Sequence, residues 1–199
     1  MKKLLHVGCG PKRVANTVRA FNDGTWEEIR LDIDAAVRPD ILGSMTDMSL
    51  IDDLAVDAIF SSHNIEHLYP HEVPIALSEV IRVLKGDGFC VITCPDLKSV
   101  SKLVLQDQLL EPAYISRAGP ISPLDILYGH GASISGGNYF MSHRCGFTEK
   151  TLRQTLISSG FSSVATSCRP GSFDLWAIGC KGPRTESELR TLAQEYFFE

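Results

Sequence analysis

The feature that most limits the fold of this chain is a short apolar run that ends in a glycine-rich turn. Residues 4–7 predict a strand, and Gly8, Cys9 and Gly10 follow it directly. Glycine lets a backbone approach a ligand without an intervening side chain. A strand, a glycine turn and a following helix form the ligand-binding corner of doubly wound sheets. The start of the chain therefore predicts such a corner.

An acidic residue at the end of the next predicted strand adds a ligand contact to this corner. That strand spans residues 26–32 and ends in Asp32, where a carboxylate can accept hydrogen bonds from both ribose hydroxyls. Arg13 stands where the dinucleotide fingerprint G-x-G-x-x-G needs its third glycine. The missing glycine disfavours close approach of the backbone to a pyrophosphate. The pattern therefore predicts an adenosine-containing cofactor that has no pyrophosphate at this turn.

Strands and helices alternate through the first half of the chain. The predicted strands are 4–7, 26–32, 39–42, 57–61 and 89–94, and the predicted helices are 13–21 and 72–84. The fifth strand is almost entirely apolar, which is typical of a central strand that is buried on both faces. This alternation predicts an α/β fold built on a doubly wound, Rossmann-like, mainly parallel sheet.

The segment 96–147 departs from this pattern, because it is rich in proline and glycine and contains no clean strand. We interpret it as an insertion after strand five, on the substrate side of a single domain that spans residues 1–199. The elements predicted beyond it are a helix that begins after Thr148, strands 162–168 and 173–180, a turn at 169–172 and a C-terminal helix at 185–197. The apolar chain end, 196–198, is expected to pack on the domain or on a second subunit, so a homodimer stays open.

Composition narrows the class of protein. The 199 residues are 44% hydrophobic and 22% charged, with a net charge of −5, the profile of a globular domain. Lysine and arginine form no cluster, so nucleic acid is not an expected partner. No apolar run approaches the length of a membrane span, so no membrane-spanning segment is expected. Six cysteines without a C-x-x-C pair fit a reducing compartment, and we predict a cytoplasmic location.

Five segments, taken in order, resemble the class I S-adenosylmethionine-dependent methyltransferases, and in particular their small type 11 group. The segments are 4–10, 32–34, 61–68, 79–88 and 145–161. The resemblance implies a seven-stranded sheet whose last strand is antiparallel. It also implies S-adenosylmethionine as cofactor, S-adenosylhomocysteine as product, and transfer of a methyl group to a small-molecule or metabolite-like acceptor.

The same resemblance implies a set of cofactor-binding residues. Gly8 and Gly10 would line the methionine part of the cofactor, Asp32 would hold the ribose, and residues 43–47 would contact adenine. Within 43–47, serine stands where the family has an acid, so the aspartate three residues later is a candidate substitute. The full expected set is Gly8, Cys9, Gly10, Asp32, Ile33, Ser44, Met45, Asp47, Ser62 and His63.

Histidine is the expected source of a general base, because its ordinary pKa lies near neutrality. The candidates are His63 after strand four, and His130 and His143 in the insertion. Each of them is also consistent with a structural role. We predict that the insertion forms the acceptor site and a mobile lid. The glycines expected to permit its closure are Gly129, Gly131, Gly136 and Gly137.

A second motif competes with this interpretation. Residues 63–67 match H-x-x-E-H, a zinc-protease signature in which two histidines of one helix bind zinc and the glutamate is the general base. A zinc hydrolase that uses His63, Glu66 and His67 is therefore an alternative function, and a non-catalytic S-adenosylmethionine-binding relative is another. We favour the methyltransferase and expect no metal. The motif directly follows a strand at the expected cleft, and the proline before His71 directs that residue away.

Overall fold

The computed structural model describes residues 1–169 and 171–197. Pro170 of the predicted turn and Phe198 of the apolar chain end lie outside the described residues. The strands are β1 (Lys2–Val7), β2 (Trp26–Asp32), β3 (Ile41–Leu42), β4 (Val56–Ser62), β5 (Leu84–Pro95), β6 (Tyr114–Ser116), β7 (Gly119–Ile121), β8 (Ser163–Cys168) and β9 (Asp174–Cys180). The α-helices are α1 (Val73–Val83), α2 (Leu97–Val104), α3 (Pro123–Tyr128), α4 (Gly131–Ser135), α5 (Glu149–Ser158) and α6 (Glu186–Tyr196). None of the helices described here is long and apolar enough to cross a membrane.

A seven-stranded sheet organises the domain, in the order β3-β2-β1-β4-β5-β9-β8. The first five of these strands run parallel to one another. Strand β9 is antiparallel to both of its neighbours, β5 and β8. The predicted Rossmann-like sheet, mainly parallel with an antiparallel last strand, is confirmed. Its parallel strands end at one edge, and polar residues follow them there.

Both faces of the sheet are buried, as the apolar fifth strand predicted. Successive residues of a strand point to opposite faces. Leu5 accordingly joins the core that α1 and α5 cover, whereas Leu4 joins the core on the other face. Helix α6 covers this second core through Tyr196, whose ring centroid lies 4.7 Å from that of Phe21. The C-terminal helix therefore packs on the body of the domain.

The predicted helix at 13–21 is wrong. Two short 3₁₀ turns, Val14–Asn16 and Arg19–Phe21, occupy this stretch. The Asn16 side chain accepts a hydrogen bond from the Arg13 N–H at 3.1 Å, and local bonds of this kind compete with helix formation. The apolar residues at helical spacing, Val18 and Phe21 among them, still face the core. Their spacing therefore indicated which residues are buried, although the segment is not an α-helix.

Strand β5 begins five residues earlier than predicted, at Leu84. Leu84 pairs with Val56, and the ladder resumes where Phe89 pairs with Ala58, so residues 85–88 bulge out of the pairing. The glycines at 86 and 88 favoured a turn in the sequence, and in the structure they accommodate this bulge.

The segment 96–147 contains regular structure that its composition did not predict. It holds α2, the antiparallel ribbon of β6 and β7, α3 and α4. The expectation that it contains no clean strand is wrong, because runs of three residues are too short to show a period in sequence. Both ends of the segment meet at the carboxyl edge of the sheet, where the Leu97 N–H donates to the Phe147 carbonyl at 3.0 Å.

Candidate functional site

A cleft of about 310 Å³ opens at the carboxyl edge of the sheet. Doubly wound folds bind their ligands at this edge. The walls come from the turn after β1, the end of β2, the loop after β3, the segment after β4 and the end of the insertion. Residues that line it include Gly8, Gly10, Asp32, Ile33, Asp34, Val37, Ser44, Met45, Thr46, His63, Asn64, His67, Asn138, Phe140, Met141 and Arg144.

The glycine turn after β1 forms the floor of the cleft, and its backbone conformation favours glycine. Gly8 has a φ of +64° and Gly10 a φ of +51°, in the left-handed region. A Cβ on Gly8 would also overlap the side chain of Asn64. The Gly8 N–H donates to the Leu31 carbonyl at 2.9 Å, which fixes the turn against β2. The turn therefore presents bare backbone to the cleft.

Asp32 ends β2 beside this turn, and its carboxylate is held in place by backbone donors. The Gly10 N–H donates to Oδ2 at 2.7 Å, and the Asp34 N–H donates to Oδ1 at 2.9 Å. The residue is 8% exposed and lines the cleft. An ionised carboxylate has about four acceptor positions, so these bonds leave capacity for a ligand. Asp32 is thus an oriented acceptor at the point where the sequence placed it.

A buried arginine, which the sequence analysis missed, holds the walls around Asp32. The Arg30 guanidinium is 1% exposed. It donates to the Lys12 carbonyl at 3.1 Å and the Arg38 carbonyl at 2.8 Å, and also to the carbonyls of Gly10 and Val37. These acceptors belong to the turn after β1 and the turn after β2. The available signal in the sequence was a cation two residues before the acid, inside an otherwise apolar strand end.

The loop after β3 contributes small and apolar groups to the cleft. Ser44 and Thr46 lie there with their hydroxyl oxygens 2.7 Å apart. Met45 is buried between this loop and Asn64, whose Nδ2 donates to the methionine sulfur at 3.5 Å. Asp47 instead accepts the Ser49 N–H at 3.1 Å and lines a separate surface groove. The loop therefore reaches the cleft through Ser44 to Thr46.

The structure brings together part of the predicted cofactor-binding set. The residues of that set that line the cleft are Gly8, Gly10, Asp32, Ile33, Ser44, Met45 and His63. Cys9 points into the core, where burial raises the pKa of its thiol to about 11. Ser62 accepts a hydrogen bond from Thr93 Oγ1 at 2.9 Å within the sheet. Among the described residues, Cys9, Asp47 and Ser62 thus lie outside the cleft lining.

His63 lies at the cleft between two carboxylates. Its Nε2 is 3.4 Å from Asp174 Oδ1, and its Nδ1 is 3.2 Å from Glu66 Oε1. Burial lowers the pKa of His63, but Asp174 and Glu66 outweigh this and raise it to about 10. The imidazole is therefore charged at neutral pH and has no lone pair for accepting a proton. This charge state suits an ion pair better than a general base.

The other two candidate histidines are not among the residues that line the cleft. His130 Nδ1 pairs with Ser133 Oγ at 2.7 Å within the insertion. His143 Nδ1 donates to the Ile126 carbonyl at 2.9 Å, and burial lowers the pKa of this imidazole. Arg144, the next residue along, does reach the cleft and lies over the Tyr69 ring, 4.6 Å from its centroid.

The H-x-x-E-H segment does not form the helix that the zinc-protease signature requires. Ile65–His67 is a single 3₁₀ turn, and His63 has a φ of +52°. His63 and His67 consequently share no helix face. The His71 ring stacks on Tyr69 at 5.7 Å between centroids. This geometry gives the zinc-hydrolase hypothesis no support.

Comparison with known proteins adds a family match to this geometry. Residues 5–92 match the family model of the methyltransferase domain. The predicted resemblance to methyltransferases is confirmed. The region that matches this family model contains the glycine turn, Asp32 and the segment after β4. No curated protein matches the chain.

Solved structures share the fold of this chain. The 1,6-didemethyltoxoflavin-N1-methyltransferase of Burkholderia thailandensis, solved with 1,6-didemethyltoxoflavin and S-adenosylhomocysteine bound, is 16% identical, with a TM-score of 0.58 over 91% of this chain and 71% of that one. A SAM-dependent methyltransferase of Archaeoglobus fulgidus is 16% identical, with a TM-score of 0.61 over 90% and 86%. A SAM-dependent methyltransferase of Methanosarcina mazei is 15% identical, with a TM-score of 0.58 over 92% of this chain and 93% of that one. At these identities the likeness establishes a common fold.

Proposed function

We propose that the protein transfers a methyl group from S-adenosylmethionine to a small-molecule acceptor. The observation that carries the proposal is the oriented Asp32 carboxylate beside a bare glycine turn, at the edge where the sheet binds ligands. The predicted cofactor is the one that the matched family uses. The Burkholderia thailandensis neighbour contains its product, S-adenosylhomocysteine, together with a small-molecule substrate.

Different residues of the cleft contact different parts of the cofactor. Asp32 accepts hydrogen bonds from the ribose hydroxyls, and the turn of Gly8 and Gly10 makes room for the methionine part. Ile33, of which 53% is exposed, offers an apolar surface beside Asp32 that adenine would cover, with Met45 nearby. The cofactor supplies a sulfonium methyl that is already electrophilic. The protein then has to align the acceptor and exclude water.

Replacing Asp32 with alanine should weaken S-adenosylmethionine binding at least about tenfold. A hydrogen bond to a charged acceptor contributes about 1.5–3 kcal/mol. Isothermal titration calorimetry measures the affinity, and a circular dichroism spectrum like that of the wild type shows that the variant is folded. Asp52→Ala removes an exposed carboxylate elsewhere and should bind like the wild type. An Asp32→Ala variant with wild-type affinity would remove this role.

The end of the insertion supports a small acceptor. Asn138, Phe140, Met141 and Arg144 line the cleft across from the glycine turn. The Phe140 side chain is half exposed, and Tyr139 beside it is more exposed still. Aromatic surface of this kind can cover an acceptor molecule and keep water from the transferred methyl group. We infer that these residues form the acceptor wall of the site.

Hydrogen exchange should reveal this wall as a lid. Within the stretch 119–144, residues 131–141 should exchange fast in the free protein and gain protection when S-adenosylmethionine is present. The α3 and α4 helices within this segment are short, whereas its far end is anchored, since the Arg144 N–H donates to the Glu66 carbonyl at 2.8 Å. Full protection of the segment in the free protein would contradict a lid.

A further inference from the structure

One cluster of metal-ligating side chains is not used by the proposed methyl transfer. Glu66, His67 and His143 each place a ligand atom within 4.8 Å of the other two. Glu66 and His67 follow β4, whereas His143 comes from the end of the insertion. The fold therefore assembles the cluster from distant parts of the chain. His67 also lines the cleft, so the cluster adjoins the cofactor site.

The hydrogen bonds of the two imidazoles leave one nitrogen of each free to bind. His67 Nδ1 lies 3.0 Å from the Ser142 carbonyl oxygen, and His143 Nδ1 lies 2.9 Å from the Ile126 carbonyl oxygen. A carbonyl can only accept, so each Nδ1 carries the proton. In a neutral ring Nε2 then holds the lone pair. Metal-binding histidines almost always donate their other N–H to a carbonyl or carboxylate in this way.

The buried carboxylate of Glu66 has an ion-pair contact with His63 but no hydrogen bond among the described residues. Its side chain is 1% exposed, and neither oxygen accepts a hydrogen bond from any residue in the described part of the chain. His63 Nδ1, at 3.2 Å, lies outside hydrogen-bond geometry, and Asp174 shares the charge of that imidazole. An ionised group in such surroundings is costly unless it is paired or bound to a metal.

The backbone around the cluster is fixed before any ligand binds. The Glu66 carbonyl accepts from the Arg144 N–H at 2.8 Å and from the Cys145 N–H at 3.2 Å. Cys145 Sγ donates to the Ile65 carbonyl at 3.4 Å. The segment that carries His143 is therefore clamped to the segment that carries Glu66 and His67. Preorganised side chains of this kind lose little entropy on binding.

We propose that Glu66, His67 and His143 bind one divalent transition-metal ion beside the cofactor cleft. Two imidazoles and one carboxylate are the ligands of zinc sites that keep a position open, and also of non-haem iron(II) sites. The ligand set differs from that of the H-x-x-E-H hypothesis, because His143 replaces His63. The proposal also departs from the sequence expectation that the protein uses no metal.

Zinc is the probe for the first test. The full chain, purified without metal-affinity steps and stripped with chelator, should bind one zinc ion per chain. His67→Ala and His143→Ala should each weaken this binding at least about 100-fold, since loss of a residue that only supports a ligand costs about 10–100-fold. His130→Ala, also in the insertion, is the matched control and should bind zinc like the wild type.

Two further measurements keep the test decisive. A circular dichroism spectrum like that of the wild type shows that a variant is folded, and S-adenosylmethionine affinity is measured separately. His143→Gln replaces His143→Ala if the alanine variant does not fold. Zinc should raise the melting temperature of the wild type and not that of the folded His143 variant. Cobalt(II) in place of zinc should show no thiolate charge-transfer absorption, which excludes binding at the six cysteines.

Three outcomes would overturn the proposal. These are substoichiometric zinc in the wild type at saturating concentration, unchanged zinc affinity in His143→Ala, and cobalt spectra with thiolate bands. Loss of zinc in His63→Ala with retention in His143→Ala would favour the H-x-x-E-H ligand set. Because cofactor affinity is measured separately, failure of the metal site leaves the proposed methyltransferase function standing.

Discussion

Replacing Gly129 with alanine is expected to separate the end of α3 from the end of the insertion and to destabilise the protein by about 3 kcal/mol. Gly129 has a φ of 98° and a ψ of 159°, a conformation that is open almost only to glycine. A Cβ there would overlap the carbonyl of Met141. Because backbone meets backbone, no side chain can move aside. The bridge between Gly129 and Ser142 must therefore open.

Gly137→Ala is the matched control for this experiment. Gly137 also has a positive φ, +94°, but no heavy atom lies near its would-be Cβ. Its substitution should cost only about 1–2 kcal/mol. In a domain of this size 1 kcal/mol corresponds to roughly 2–4 °C, so Gly129→Ala should melt about 6–12 °C below the wild type. Equal melting temperatures for the two variants would contradict the prediction.

The same substitution should also weaken zinc binding. The His143 N–H donates to the carbonyl of Tyr128, the residue before Gly129, at 3.1 Å. Opening of this contact moves the imidazole of His143 away from Glu66 and His67. Gly129 thus permits a close backbone contact, whereas its place in the sequence predicted a role in closure of the insertion.

Replacing Arg30 with alanine should lower both stability and cofactor affinity. Hydrogen bonds from a charged donor contribute about 1.5–3 kcal/mol each, and Arg30 donates to carbonyls of two turns. Its removal should cost about 3 kcal/mol, together with at least about a tenfold loss of S-adenosylmethionine affinity. The affinity falls because the turn that holds Gly10 no longer has a fixed distance from the turn that follows Asp32.

Two further substitutions show whether geometry or charge is responsible. Arg30→Lys keeps the charge, but one ammonium group cannot span the carbonyls that the planar guanidinium reaches, so most of the loss should remain. Arg19→Ala removes an exposed arginine and should melt and bind like the wild type. Thermal unfolding and calorimetry give the two readouts. Wild-type behaviour of Arg30→Lys would show that charge alone suffices.

The sheet and the geometry of the glycine turn beside Asp32 were predictable because their signals are local. An apolar run, a pair of glycines and a terminal acid lie within the first 32 residues, and each constrains the backbone near itself. The order of the five segments that resemble methyltransferases then predicted a seven-stranded sheet with an antiparallel last strand. The helix at 13–21 failed as a prediction because apolar spacing reports which residues are buried, and Val18 and Phe21 are buried here without an α-helix.

The histidine cluster was not predictable, because it depends on contacts between distant segments. Nothing near His143 in the sequence marks Glu66 as its neighbour. The H-x-x-E-H pattern suggested a pair of histidines on one helix, whereas a positive φ at His63 turns that side chain toward Asp174. Arg30 was missed for a related reason. Its acceptors are carbonyls, which every residue has and which no sequence pattern distinguishes.

The adjoining ends of the insertion make it an exchangeable module. The segment leaves the sheet at Leu97 and returns at Phe147, and these two residues are hydrogen-bonded to each other. The sheet therefore does not fix the length of the chain between them. Doubling such a loop costs only about 0.6 kcal/mol of closure entropy. Grafting a different segment between these anchors should change which acceptor is methylated and leave the cofactor corner intact. If the protein has the proposed function, acceptor choice and cofactor binding can evolve separately, provided that each new segment keeps the hydrogen bonds to the Glu66 carbonyl.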